Sequence, residues 1–245
     1  MTRRDDDEPI FQVAPIGAPV AADDSERELR RLYPHPHGLV RVGMIAGADG
    51  AAAHRGGSSR GLGGPADLRV LRTLRSQADT VLVGGRTARL EHYGAIRLPA
   101  AMSSERVATG QPAAPTLVIA TFSGDLPATV GPASALVMTT ATSPARKRLG
   151  GDWGASVVIA GERTLDLAAG LAALAERGQT RILCEGGPRL AADLIQADLM
   201  DEYCLTVSPV EGGDNAPRVP PVPRAMRLAH RLVSGEYAME RWVRA

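Results

Sequence analysis

Residues 65–85 constrain the fold more tightly than any other stretch of the chain. Pro65-Ala66-Asp67-Leu68 opens a segment whose apolar positions Val70, Leu71 and Leu74 recur at helical spacing. Thr80-Val81-Leu82-Val83 follows as a compact, mostly β-branched run that stops at Gly84-Gly85, with Arg86 and Thr87 next. A helix, a buried strand and a glycine turn in that order make one repeat of an α/β sheet protein. Asp67 on the helix's first turn is favoured by the helix dipole. A Gly-rich turn at a strand's carboxyl end leaves backbone N–H groups free to meet a phosphate. One element offers a proton source and the other a nucleotide site, a pairing that suits reductase chemistry.

The same rhythm runs through the chain. Residues 39–46 read as a strand, Asp49-Gly50 as a turn, and residues 55–64 as a glycine-rich, mobile loop. Further strands are expected over 116–120, 135–139, 156–160, 181–184 and 203–208, with helices over 165–177 and from Pro188 through Ile195. Residues 226–244 read as two alternating strands joined near Ser234-Gly235. Alternating strands and helices imply an α/β fold with a central, mostly parallel sheet, antiparallel C-terminal strands and helices on both faces. Residues 1–36, with the run Asp5-Asp6-Asp7-Glu8, read as a polar and partly disordered N-terminal arm. A short helix within it would be capped by Asp24 or Ser25. Residues 37–245 read as one domain.

Composition narrows the function classes. Hydrophobic residues make up 44% of the chain but aromatic ones only 3%, so the core is aliphatic. Lys plus Arg (28) balance Asp plus Glu (27), which gives no long-range pull toward nucleic acid or a membrane surface. Cys184 and Cys204 sit in apolar runs and read as buried strand thiols, and the five histidines lack zinc-ligand spacing, so no metal is expected. No signal peptide or membrane-spanning run is read, which leaves the cytoplasm as the expected location.

Three groups of residues compete as chemistry. Gly61-Leu62-Gly63-Gly64-Pro65-Ala66 matches the dinucleotide fingerprint in letters only, because no strand runs into its first glycine. The turns after Val83 and after Cys184 are better phosphate cradles, since glycine lets backbone approach a ligand closely. Among the acids, Asp67 is equally a residue that satisfies helix N–H groups, and Asp49 before a glycine is equally a turn residue. Glu185, between a buried strand and Gly186-Gly187, is harder to read as a surface charge.

These segments resemble the reductase domain of the riboflavin-biosynthesis pyrimidine reductases. The resemblance rests on Val40–Gly50 with its D-G turn, on residues 74–87 against an "L-R-x-x-x-D-x-x-L-V-G-x-x-T" pattern, and on residues 182–190 against "V-E-G-G-x-x-L". It implies a three-layer dihydrofolate-reductase-like fold, NADPH as hydride donor, a small heterocyclic substrate and a homodimer. On the cofactor it places Gly84, Gly85, Arg86, Thr87, Gly161, Glu185, Gly186, Gly187, Pro188, Arg189 and Leu190, with Arg86 at the 2′-phosphate. Toward the substrate it places Met44 and Asp49, with Asp49 and Glu185 as catalytic acids, and a further resemblance to dihydrofolate reductase adds Asp67 to both the substrate-binding and the catalytic sets. The zinc-deaminase signature often fused to this domain is missing. Leu62 and Leu68 stand where a Trp-Ile-Thr/Ser run and an Arg are usual. The "P-A-D-L" and "G-R" pieces also resemble dihydrofolate reductase, so folate reduction is the second expectation and a non-catalytic NADP-binding sensor the third.

Overall fold

The computed structural model describes residues 9–245. In chain order the elements are β1 (Ile10–Ala14), β2 (Ile16–Val20), α1 (Arg27–Leu32), β3 (Val40–Ala46), α2 (Pro65–Gln77), β4 (Thr80–Gly84), α3 (Gly85–Leu90), α4 (Ala100–Ala108), β5 (Thr116–Ala120) and β6 (Ala135–Thr139). There follow α5 (Pro144–Leu149), β7 (Val157–Ile159), α6 (Leu167–Ala175), β8 (Ile182–Cys184), α7 (Pro188–Gln196), β9 (Glu202–Val207), β10 (Met226–Ser234) and β11 (Tyr237–Arg244). All eleven strands form one sheet in the order β2-β1-β10-β11-β9-β3-β8-β4-β5-β6-β7. From β9 to β7 every neighbouring pair is parallel, whereas β11, β10, β1 and β2 continue the sheet antiparallel.

The period of two in the strands explains the layers. Val81 and Val83 of β4 pack on one side with Ala66, Val70 and Leu74 of α2, while Leu82 points to the other with Leu167 of α6 and Leu190, Ala191 and Leu194 of α7. Strands buried on both faces read as continuous apolar runs, which is what parallel pairing requires. Each buried Leu, Ile or Val contributes roughly 1.5–3 kcal/mol of transfer free energy. The expected architecture of mostly parallel sheet, antiparallel C-terminal strands and flanking helices is the one found.

The N-terminal arm is a correction. Phe11 pairs with Val233 and Gln12 with Leu232, so β1 extends the sheet beyond β10, and β2 folds back on β1 as its edge. Ile10 and Val20 are buried in the core. Pro19 made this hairpin hard to read, yet a proline is tolerated on an edge strand because it forfeits no ladder bond there. No domain boundary falls at residues 36–37, since residues 10–36 pack with the rest. The acidic run Asp5–Glu8 lies outside the described residues. The expected cap on α1 is also replaced. Glu26 is the cap residue, with φ 49°, and no side chain caps the helix. The Glu26 carboxylate reaches instead to Arg69 of α2, at 2.6 Å from Nε and 2.8 Å from Nη2, in a buried pair. Between β4 and β5, where the sequence reading saw only a connection, lie α3 and α4.

Candidate active site

The carboxyl ends of β3, β4, β5, β6, β8 and β9 open into one cleft of about 2240 Å³. Ligands of open α/β sheets bind at that end. A drug-sized ligand needs roughly 300–1,000 Å³, so the cleft has room for a dinucleotide and a second molecule.

The two glycine turns interlock along its floor. The Gly84 N–H donates to the Gly186 carbonyl at 2.8 Å. A Cβ on Gly187 would stand 2.5 Å from Thr87 Oγ1, and one on Gly85 would stand 2.9 Å from the Thr121 side chain. Gly186 has φ +88°, a left-handed conformation that glycine adopts without steric cost. Gly187 caps α7 without a side chain and Pro188 is its first residue, so the helix's opening N–H groups have no side-chain partner there. Arg86 and Arg189 are exposed on the cleft and make no ion pair among the described residues, and Leu190 lies buried beneath them. Thr140, at the end of β6, was not singled out from sequence. It is 2% exposed, lines the cleft and has an Oγ1 without a hydrogen-bond partner among the described residues. A buried orphan hydroxyl points to a ligand group that satisfies it. Gly161 departs from expectation. Its φ of +87° shapes the turn after β7, and it is Arg163, Thr164 and Leu165 of that turn that line the cleft.

At the cleft's other end stands Asp67, on the first turn of α2. Burial pushes its carboxyl above the ordinary value of 3.8, and a hydrogen bond from Thr206 opposes that shift only in part. Met44 closes the space beside Gly186, where a Cβ would stand 2.7 Å from its Sδ. The loop beside this end is anchored at Ser58, Ser59 and Leu62. Glu91 takes hydrogen bonds from Ser58 Oγ (2.7 Å) and Ser59 N–H (2.6 Å), and the carbonyl of buried Leu62 accepts one from Ser208 Oγ (2.7 Å). Leu68 faces the cleft.

Two of the expected acids have other work. Asp49 is not among the residues that line the cleft. Its Oδ1 accepts from Gly212 N–H (3.1 Å) and Ala51 N–H (3.2 Å), and those bonds hold its pKa below 3.8. That is the work of a turn residue. Glu185 lines the cleft, but its carboxylate is gripped by Arg75, with Nε–Oε1 and Nη2–Oε2 both 2.6 Å, and Oε2 also accepts from Tyr93 Oη at 2.5 Å. Among the described residues no group of three His, Cys, Asp or Glu could hold a metal ion. No helix among them is long and apolar enough to cross a membrane.

Residues 39–240 match the RibD C-terminal domain. The chain is 27% identical over 185 residues to the 2,5-diamino-6-ribosylamino-4(3H)-pyrimidinone 5′-phosphate reductase of Archaeoglobus fulgidus, covering 74% of this chain and 84% of that one. It is 29% identical over 234 residues to the riboflavin biosynthesis protein RibD of Chlamydia trachomatis, covering 91% of this chain but 59% of that longer protein. In fold it is similar to a pyrimidine reductase-like protein of Corynebacterium diphtheriae, with a TM-score of 0.73 at 23% identity over 89% of this chain and 98% of that one. The riboflavin biosynthesis reductase Rib7 of Saccharomyces cerevisiae gives a TM-score of 0.56 at 16% identity, over 85% and 90% of the two chains.

Proposed function

The chain belongs to the RibD C-terminal domain family, and from that premise we propose an NADPH-dependent reductase of a ribosylaminopyrimidine phosphate, the substrate named for the Archaeoglobus relative. The observation that carries this reading is geometric: the Asp67 carboxyl, on the first turn of α2, lines the same cleft as the double glycine cradle. NADPH fits the residues present. Gly85 and Gly187 leave room that a Cβ would fill, the first turn of α7 and Arg86 suit phosphate oxygens, and the Thr140 hydroxyl lacks a partner.

Bound NADPH would supply a hydride to a C=N or C=O carbon of the substrate. The chain's part is to orient and to manage the proton. Burial disfavours the Asp67 anion and raises its pKa above 3.8, which suits a carboxyl that passes a proton to the substrate. For folate reduction, the second reading, Asp67 would serve alike on a pterin ring. Phe11 and Val13 stand exposed on β1, an apolar surface that favours a homodimer as the assembly. Two buried free cysteines suit a reducing, cytoplasmic location.

The test is NADPH oxidation by the purified protein with the pyrimidinone phosphate, and in parallel with dihydrofolate. Turnover of the first supports the proposal, and turnover of dihydrofolate alone moves the assignment to the second reading. Cofactor binding without turnover of either would leave the sensor reading. Light scattering checks the dimer.

A further inference from the structure

We propose that Tyr33 is a specificity-determining residue: its hydroxyl, at the deep end of the cleft, donates to the ring oxygen beside the N–H edge of a 2-amino-4-oxopyrimidine. This rests on the cleft being the ring-binding site proposed above. Tyr33 precedes residues 39–240 in the chain, so the family match assigns it nothing. Yet it lines the cleft and is fully buried. Asp67, Val70 and Leu74 recur on one face of α2 and line the same cleft. Val70 and Leu74 pack in one cluster with Tyr33, Cys204 of β9 and Met239 of β11, so the deep end is closed by mostly apolar surface. Met239 pairs in register with Thr206, the residue that hydrogen-bonds Asp67. The wall therefore runs on from Asp67 to the arm that carries Tyr33.

Everything about Tyr33 except its hydroxyl is fastened. Its N–H donates to the Leu29 carbonyl at 2.9 Å where α1 ends. Its own carbonyl accepts from Gln77 Nε2 at the end of α2 (2.8 Å) and from Arg41 Nη1 on β3 (3.4 Å). Its ring meets His230 of β10 edge-on, with centroids 4.7 Å apart and planes at 84°. The hydroxyl makes no hydrogen bond among the described residues. Burial pushes it well above 10, so it stays an O–H donor, and it lies near enough to Asp67 to feel that charge. A buried donor without a partner has given up water for nothing, so a ligand acceptor that reaches it gains the whole bond. The pyrimidinone named for the Archaeoglobus relative has its oxygen at ring position 4 beside the N–H at position 3, with the ribosylamino group at position 6. A closed, apolar deep end admits the bare edge and leaves the phosphate arm toward the mouth. On that edge Asp67 meets the nitrogen side and Tyr33 the oxygen.

The test is a binding cycle. The Kd of the pyrimidinone phosphate is measured for wild type and Tyr33→Phe, alongside that of an analogue bearing hydrogen in place of the ring oxygen. Tyr33→Phe removes one hydroxyl and little volume. It should weaken binding of the natural ring about 3- to 10-fold, the worth of one hydrogen bond, and weaken the analogue no further. In turnover the loss should fall on KM more than on kcat. NADPH affinity and the urea midpoint should stay at the wild-type level. A packing role for Tyr33 would instead weaken both ring ligands alike, and that result, or an unchanged Kd for the natural ring, would overturn the inference. If the wild type binds dihydrofolate but no pyrimidinone phosphate, the substrate proposed above is wrong. The inference then stands or falls on whether Tyr33→Phe weakens dihydrofolate by the same factor, since its pterin ring carries the same edge. Binding of neither ring would overturn both.

Discussion

Thr87 and Gly187, a hundred residues apart in the chain, share a space that holds only one side chain: a Cβ on Gly187 would stand 2.5 Å from Thr87 Oγ1. The two strand ends form a cradle because one contributes a hydroxyl and the other contributes nothing. Gly187→Ala is expected to weaken NADPH binding at least about 10-fold and to cost roughly 1–3 kcal/mol of stability through overpacking. Adding Thr87→Ala should return most of the stability without returning the affinity. Denaturant unfolding and NADPH fluorescence titration separate the two effects, and full affinity in Gly187→Ala would remove this turn from the cofactor site.

Arg86 tests which nicotinamide cofactor is used. It is exposed on the cleft and makes no ion pair among the described residues. Its planar fork suits a phosphate dianion. Arg86→Ala should cost about 1.5–3 kcal/mol of NADPH affinity, one charge-assisted hydrogen bond, and leave NADH affinity unchanged. Equal binding of both cofactors by the wild type would refute the assignment.

Asp67→Asn should lower kcat about 10²- to 10⁴-fold, the usual worth of a general acid, or roughly 3–5 kcal/mol of barrier. Stability should move the other way. A carboxyl whose folded pKa is raised favours the folded state at low pH and loses that advantage as pH rises through the folded value. The uncharged amide therefore makes the protein equally or more stable at neutral pH. In the wild type, kcat/KM should fall on the alkaline side of the Asp67 pKa, and that limb should be absent from Asp67→Asn. Retained turnover would return Asp67 to a helix-opening role.

Acid stability depends on two buried histidines. Burial, with Arg41 adding to it, lowers His35 to about 3, and burial with Arg241 lowers His230 to about 4. His230 packs edge-on against Tyr33 with its Nε2 unpartnered. A depressed histidine pKa means that stability is full above the unfolded value of about 6.5 and is lost as pH falls toward the folded one. Between about pH 6.5 and 4.5 the two together should cost up to about 5 kcal/mol, at 1.4 kcal/mol per unit for each. His230→Phe should roughly halve that loss in urea unfolding series.

Asp49→Asn should leave turnover and cofactor affinity close to wild type, because the Asp49 carboxylate accepts from the backbone N–H of Ala51 in its own turn and of Gly212 in the loop after β9. A large fall in kcat with KM unchanged would restore Asp49 to the chemistry.

What the sequence made legible was local. The helix from Pro65, the strand before Gly84 and the two glycine turns follow from periodicity and turn chemistry within a few residues. The place of Asp67 on a helix's first turn was readable because that helix and its strand lie side by side in the chain. The contacts of Glu185 were not, since its partners Arg75 and Tyr93 lie 110 and 92 residues away. The β1–β2 hairpin was hidden because a short strand containing Pro19 makes sense only once β10 is beside it. Thr140 carries no local signal at all: a threonine at a strand end is ordinary until its hydroxyl is found buried and unpaired.

The position of β3 in the sheet also sets a timetable. Its two neighbours, β8 and β9, enter the chain more than 130 residues after it, with Val40 facing Ile182 and Ala46 facing Val207. Met44, Asp67 and the first glycine turn are synthesised early but have no completed surroundings until Val207 has left the ribosome. Such long-range pairing belongs to slow folders, on a scale of milliseconds to seconds, and stopped-flow refolding measures it. A nascent chain stalled before Glu202 would carry one glycine turn and its acid with no cleft between them, so the reductase site is among the last features of this molecule to come into being.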